Sequence, residues 1–363
     1  MSHSLPSISE AGVSIWLDDL SRERLQSGSL VDLINNSYVV GVTTNPSIFS
    51  AAISGSDLYK EDILALKSDG LSSSEIVTEL TTSDVRSACD LFLPTFIETN
   101  QVDGRVSIEV DPRLAYNTSA TINQGLYLHG LVNRPNLLIK VPATLDGLPA
   151  IEELTAQGIS VNVTLIFSVE RYELVMDAYL RGIERRIANG LPVTNIHSVA
   201  SFFISRIDSD IDKKLDDASV SNPLRGKAAI ANAVLAYEAF LKVSQSARWL
   251  KLASLGANMQ RPLWASTGVK DKSYDSTRYV IELIAPNCVN TMPEGTLNEV
   301  RSHGDFRGDT ISTEFLHAHK VLSDLTSAGV DFKAVVNFLE DDGVSKFEKA
   351  WEELLANVEA VHE

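Results

Sequence analysis

Lys140 sits inside an otherwise apolar run, Leu137-Leu138-Ile139-Lys140-Val141-Pro142-Ala143. Such a run reads as a parallel strand covered on both faces, which leaves no comfortable place for an ammonium group. Burying that charge without a partner is strongly unfavourable, so a lysine placed there tends to give up its proton. A neutral, desolvated amine is the nucleophile that forms Schiff bases with ketones. The competing account is a strand-end lysine that reaches water or pairs with a carboxylate. The neighbouring strands must decide between the two.

Side chains alternate across a strand, so residues two apart share a face. In Ser107-Ile108-Glu109-Val110-Asp111, Ile108 and Val110 share one face and Glu109 takes the other. In Val161-Asn162-Val163-Thr164-Leu165, the valines and Leu165 face one way, Asn162 and Thr164 the other. In Ile15-Trp16-Leu17-Asp18, the aspartate lies opposite Ile15 and Leu17. Taken singly these residues are ordinary: Asp18 could cap a helix near Ser21, Glu109 could pair with a base, and Thr164 suits any strand. Taken together they match a Schiff-base enzyme. That chemistry needs an amine, an acid/base group for carbinolamine dehydration, and a carboxylate to accept a substrate hydroxyl proton.

The elements that must position this set alternate along the chain. Residues 13–18, 38–43, 106–111, 137–142, 160–167 and 198–203 read as strands, with weaker candidates at 262–267 and 287–291. Helical patterns lie between them at 22–36, 145–157, 169–189, 226–250 and 276–284. The expectation is an α/β protein, a (β/α)8 TIM barrel, and no glycine-rich fingerprint after the first strand supports a doubly wound sheet instead. The long interval after the second strand predicts inserted helices at 57–67 and 83–99, packed on the outside of the barrel. A helical C-terminal segment is expected at 314–327, 331–340 and 344–361. There, Phe347, Trp351, Leu354 and Leu355 form a stripe of core or subunit-contact type. With no linker or repeat, residues 1–363 read as a single domain.

A formal net charge of −17 argues against nucleic-acid or anionic-membrane partners. An anionic substrate must therefore be held by local cations and backbone N–H groups. Cys89 and Cys288 have no metal or redox spacing and are expected as buried thiols. His197 and His317 lack metal-ligand companions at useful spacing, so no metal and no cofactor is expected. The polar N-terminus lacks signal-peptide character and no apolar run is long enough to span a bilayer, which makes the cytoplasm the expected address.

Four segments resemble the signatures of the transaldolase family, in the family's order. They are Gly41-Val42-Thr43-Thr44-Asn45-Pro46-Ser47, Glu109-Val110-Asp111-Pro112-Arg113-Leu114, Leu138-Ile139-Lys140-Val141-Pro142-Ala143-Thr144 and Asn162-Val163-Thr164-Leu165-Ile166-Phe167-Ser168. The chain looks like the longer, actinobacterial-type members. The resemblance implies that Lys140 is the Schiff-base lysine. It implies that Glu109 is the acid/base group, working through a water that Thr164 helps to hold, and that Asp18 removes the hydroxyl proton as the carbon–carbon bond breaks. Asn45, Asn162 and Ser201 would contact the dihydroxyacetone unit.

For the phosphate, Arg206 and Ser266 match family positions. The second family arginine is replaced by Gly268, with Lys270 as the expected substitute and Arg261 as a less favoured one. The implied reaction moves dihydroxyacetone from sedoheptulose 7-phosphate or fructose 6-phosphate to glyceraldehyde 3-phosphate or erythrose 4-phosphate, in the non-oxidative pentose phosphate pathway. The partners are then sugar phosphates, and the protein a monomer or homodimer. The alternatives are a fructose-6-phosphate aldolase that releases free dihydroxyacetone, and a non-catalytic phosphosugar-binding barrel.

Overall fold

A parallel barrel is built from eight short strands: β1 (Val13–Leu17), β2 (Val39–Val42), β3 (Arg105–Glu109), β4 (Leu137–Pro142), β5 (Val161–Ile166), β6 (Ser198–Phe203), β7 (Gln260–Ala265) and β8 (Cys288–Met292). The computed structural model describes residues 4–217 and 223–362. The strands pair in sequence order and β8 closes on β1. This is the (β/α)8 TIM barrel expected from the alternation of strand and helix patterns.

The two faces of each strand serve different layers. Phe202 and Trp264 stand opposite each other in register and meet edge to face at 6.1 Å, with Tyr172 of the helix Val169–Ala188 against the same Phe202 ring. Trp16 fills barrel space beside Gly41, where an added Cβ would come within 2.5 Å of its indole ring. Gly41 is thus required by close approach rather than by backbone shape.

Helix boundaries depart from the sequence expectation in several places. The pattern at 22–36 is two helices, Arg22–Gln26 and Ser29–Asn36, separated at Gly28 with φ of 81°. The pattern at 226–250 divides into Ala228–Ser244 and Ala247–Ser254 because the Ser246 hydroxyl accepts from Trp249 N–H and starts a new helix. At 276–284 only Arg278–Ile281 is α-helical. The insertion after β2 holds Pro46–Ser54, a 3-10 turn at Asp57–Tyr59, Lys60–Ser68 and the long Ser73–Glu98, which begins earlier than expected at a capping box of Ser72 and Glu75. Thr118–Val132 and Ser205–Asp217, absent from the sequence expectation, complete the layer after β3 and β6.

At the C-terminus, Phe315–Ser327 is followed by one continuous helix, Phe332–Glu359, where the sequence suggested two. This helix packs on Pro46–Ser54 and touches β5. It is tied down by the Arg171–Glu340 ion pair at 3.1 Å. Among the described residues no helix is long and apolar enough to cross a membrane.

Candidate active site

Lys140 and Glu109 are neighbours in the parallel register of β3 and β4, and Asn162 of β5 stands beside Lys140. The lysine is 4% exposed and its Nζ lies 3.2 Å from Glu109 Oε2. Nζ also donates to the Thr44 carbonyl at 3.0 Å. The buried amine is therefore partnered rather than solitary. Apart from that ammonium, neither Glu109 oxygen has a hydrogen-bonding partner among the described residues. Burial pushes the Glu109 carboxyl up to about 7, partly opposed by the Lys140 charge and hydrogen bond.

A cavity of about 90 Å³ opens above Lys140 at the C-terminal ends of the strands. Asp18 lines it just past β1, held by a hydrogen bond of 2.7 Å from the Thr43 hydroxyl. Burial raises the Asp18 carboxyl above the usual carboxylate range, against the lowering effects of Lys140 and Thr43. Thr164 lines the same cavity, fully buried, and its hydroxyl has no partner among the described residues. An unpaired buried hydroxyl is unfavourable and marks a place for a water or a substrate oxygen.

Asn45, Ser201, Arg206 and Ser266 line the cavity as well. Asn45 also caps the helix Pro46–Ser54 by accepting from Ile48 N–H at 3.0 Å. Asn162 lies beneath the wall: its amide donates to Ser107 Oγ and accepts from Ser201 Oγ. It fixes Ser201 rather than facing the open space. Arg206, the second residue of the helix Ser205–Asp217, leans over the Phe203 ring at 5.2 Å, and its buried Nη1 has no hydrogen-bonding partner among the described residues. Burial lowers its guanidinium below the ordinary value. Ser266 meets the Ser205 hydroxyl at 3.0 Å.

Neither Lys270 nor Arg261, the residues expected as a second phosphate cation, is brought into this cavity. Lys270 lines an adjoining cleft with Asp208, Asp212 and Asp271. Burial and the charges of Arg206 and Lys346 lower its pKa. Arg261 is the second residue of β7, at the opposite end of the barrel, and pairs with Asp103 at 2.8 Å. Its place removes it as a phosphate ligand here.

Two features of the site are not legible in the strands. Leu165 has φ of 61°, and the β5–β6 register shifts between Val163 and Ile166. This bulge breaks the alternation that groups Leu165 with Val161 and Val163. Leu165 turns up instead within 3.0 Å of the Cβ position of Gly343, in the C-terminal helix. That helix also delivers Phe347, whose ring lies 5.6 Å from Lys140 Nζ and 6.0 Å from the Arg206 guanidinium. Phe347 belongs to a helical stripe that signals core, and only the path of the helix makes it a wall of the cavity.

Gly343 lets this helix approach, since Leu165 lies 3.0 Å from its Cβ position, with Phe167 and Arg206 Nη1 in ordinary contact at 3.4 and 3.6 Å. Gly343→Leu is expected to destabilise the fold by about 1–3 kcal/mol through overpacking. It should also raise KM for a phosphorylated substrate by displacing Phe347 and Arg206. Chemical denaturation together with steady-state kinetics checks both effects, and an unchanged KM would show that the helix does not shape the end of the cavity that Arg206 lines.

The Transaldolase/Fructose-6-phosphate aldolase family model matches residues 15–358. Transaldolase 1 of Streptomyces avermitilis is 55% identical over 357 residues, covering 98% of this chain and 94% of that protein. The transaldolase of Saccharopolyspora erythraea is 54% identical, covering 98% and 96%. That of Mycolicibacterium smegmatis is 54% identical, covering 97% and 95%. With the match running through all eight strands and the lysine, glutamate and aspartate gathered at one barrel mouth, this chain belongs to the transaldolase/fructose-6-phosphate aldolase family.

Proposed function

We propose that this chain is a transaldolase, transferring a dihydroxyacetone unit from a ketose phosphate to an aldose phosphate through a Schiff base on Lys140. The observation that carries the proposal is the buried Lys140–Glu109 pair at 3.2 Å, beneath a cavity that Asp18 also lines. Glu109 takes a proton from Lys140, and the amine attacks the ketose carbonyl. Glu109 returns a proton to the carbinolamine oxygen, through a water held at the Thr164 hydroxyl, and water leaves.

The protonated imine then withdraws electrons. Asp18 accepts the proton of the hydroxyl on the far carbon of the scissile bond. That hydroxyl becomes the carbonyl of the leaving aldose as the bond breaks, and the bond's electron pair ends as an enamine on Lys140. The aldose phosphate departs. An incoming aldose phosphate is attacked by the enamine, and Asp18 returns the proton to the new alkoxide. Imine hydrolysis frees the product ketose. Phe347 and Phe203 keep the enamine side of the cavity apolar, which protects it from protonation by water until the acceptor arrives. The described residues act as one barrel domain, for which the packing of the C-terminal helix on Pro46–Ser54 is the support. The two free, buried cysteines, Cys89 and Cys288, favour a reducing compartment such as the cytoplasm.

A chain of formal charge −17 repels a sugar phosphate at long range, so contact cations must supply the attraction. Arg206 holds the phosphate with Ser266, and Lys270 contributes from the adjoining cleft. Arg206→Ala is expected to raise KM for fructose 6-phosphate by roughly 10- to 100-fold, since charge-assisted hydrogen bonds are worth about 1.5–3 kcal/mol each. Activity on unphosphorylated fructose should hardly change. Lys270→Ala should act in the same direction and more weakly, and an unaltered KM in that variant would leave the phosphate to Arg206 and Ser266 alone.

The overall function is tested by supplying fructose 6-phosphate with and without erythrose 4-phosphate and following glyceraldehyde 3-phosphate. A transaldolase releases it in multiple turnovers only when the acceptor is present. Equal release without acceptor would instead indicate an aldolase, and no release under either condition a binding protein.

A further inference from the structure

The strand faces that carry Glu109, Lys140 and Ser201 towards the C-terminal mouth send other residues to the opposite end. Arg105 lies four positions before Glu109 on β3, Leu138 two before Lys140 on β4, and Val199 two before Ser201 on β6. With Arg261, His197 and Trp249 they line a second cavity, of about 340 Å³.

Arg105 is 1% exposed. Its Nε and Nη2 both donate to the Gln101 carbonyl, at 2.9 and 2.5 Å, and its guanidinium lies 5.2 Å from the Phe96 ring centroid. Nη1 has no hydrogen-bonding partner among the described residues. A buried cation without a counter-charge carries a large desolvation penalty. The nearby carboxylate is already engaged: Asp103 accepts from Arg261 Nη2 at 2.8 Å, from Ser14 Oγ at 2.7 Å and from Trp16 Nε1 at 3.4 Å. Two arginines therefore share one acid at this mouth.

The surrounding groups register that excess. Burial and the Arg261 charge push the Arg105 guanidinium down to about 9. Burial, with both arginines, pushes the His197 imidazole down to about 3. In a chain of net charge −17, this is a locally positive pocket whose walls at Leu138, Val199 and Trp249 are apolar.

We propose that the N-terminal mouth of the barrel is a second ligand site, distinct from the Lys140 cavity, which binds a small organic phosphate or carboxylate through Arg105 and Arg261. The oxyanion supplies the acceptor that Arg105 Nη1 lacks, and the carbon portion occupies the apolar remainder of the cavity. Nothing in this assignment depends on the reaction at Lys140.

The test uses the Arg206→Ala protein, in which the active-site phosphate cation is gone, titrated separately with inorganic phosphate and with malonate while tryptophan fluorescence is followed. Trp249 lines the cavity and serves as the reporter. A saturable response to either anion is expected, and the tighter of the two assigns the ligand class. Adding Arg105→Met should weaken that response at least about tenfold, the usual scale for losing a charge-assisted hydrogen bond. Should Arg105→Met fail to fold, Ser244→Phe fills the cavity from the helix Ala228–Ser244 with both arginines kept, and the same weakening is expected. Absence of saturable binding by both anions, or a midpoint unmoved by these substitutions, overturns the proposal.

Discussion

Lys140→Ala is expected to lose transfer activity by about 10⁴-fold or more while the protein still folds, as expected when a covalent nucleophile is removed. The fold should survive because β4 stays apolar and the substitution removes a buried charge. Glu109 then loses the cation at 3.2 Å, but its carboxyl, already pushed up to about 7 by burial, can take a proton and become neutral. Lys140→Arg should be equally inactive, since a guanidinium stays protonated and cannot form an imine. Steady-state assays with circular dichroism on both variants check this. Near-normal turnover in either would remove Lys140 from the chemistry.

Glu109→Gln is expected to lower kcat by about 10²–10⁴-fold, the usual contribution of a general acid–base group, with substrate binding largely kept. The pH profile carries a second signature. Glu109 must be ionised to take the proton of Lys140, so activity is present above about 7 and falls as pH drops through that value. The apparent midpoint belongs to the coupled pair rather than to Glu109 alone. The glutamine variant should lose this acidic limb. A rise in KM with kcat unchanged would instead make Glu109 a binding group.

Much of the barrel is legible in the sequence because parallel strands are apolar on both faces. β4 and β6 run over 137–142 and 198–203, as the apolar runs imply. Alternation also brings Glu109, Lys140 and Thr164 to one side. It fails at Leu165, because a left-handed backbone inside a strand leaves no trace in hydropathy. The C-terminal helix is misdivided at 341–343, where polar residues and Gly343 look like a break. The glycine is instead the point of closest approach to Leu165. Phe347 is hidden for a related reason: a buried aromatic in a helical stripe looks the same whether it faces packed core or a substrate cavity. Arg206 and Ser266 emerge only from the family resemblance, since no periodicity marks an arginine at the start of a helix as a candidate phosphate ligand. The Lys140–Glu109 contact needs the register of β3 against β4, which composition does not carry.

The covalent intermediate provides the most direct measurement. The protein is incubated with fructose 6-phosphate and sodium borohydride, digested, and its peptides are weighed. A reduced three-carbon adduct on the peptide that contains Lys140, absent from the Lys140→Ala protein, is the predicted result. No adduct, or an adduct on a different lysine, would contradict the Schiff-base mechanism at this site.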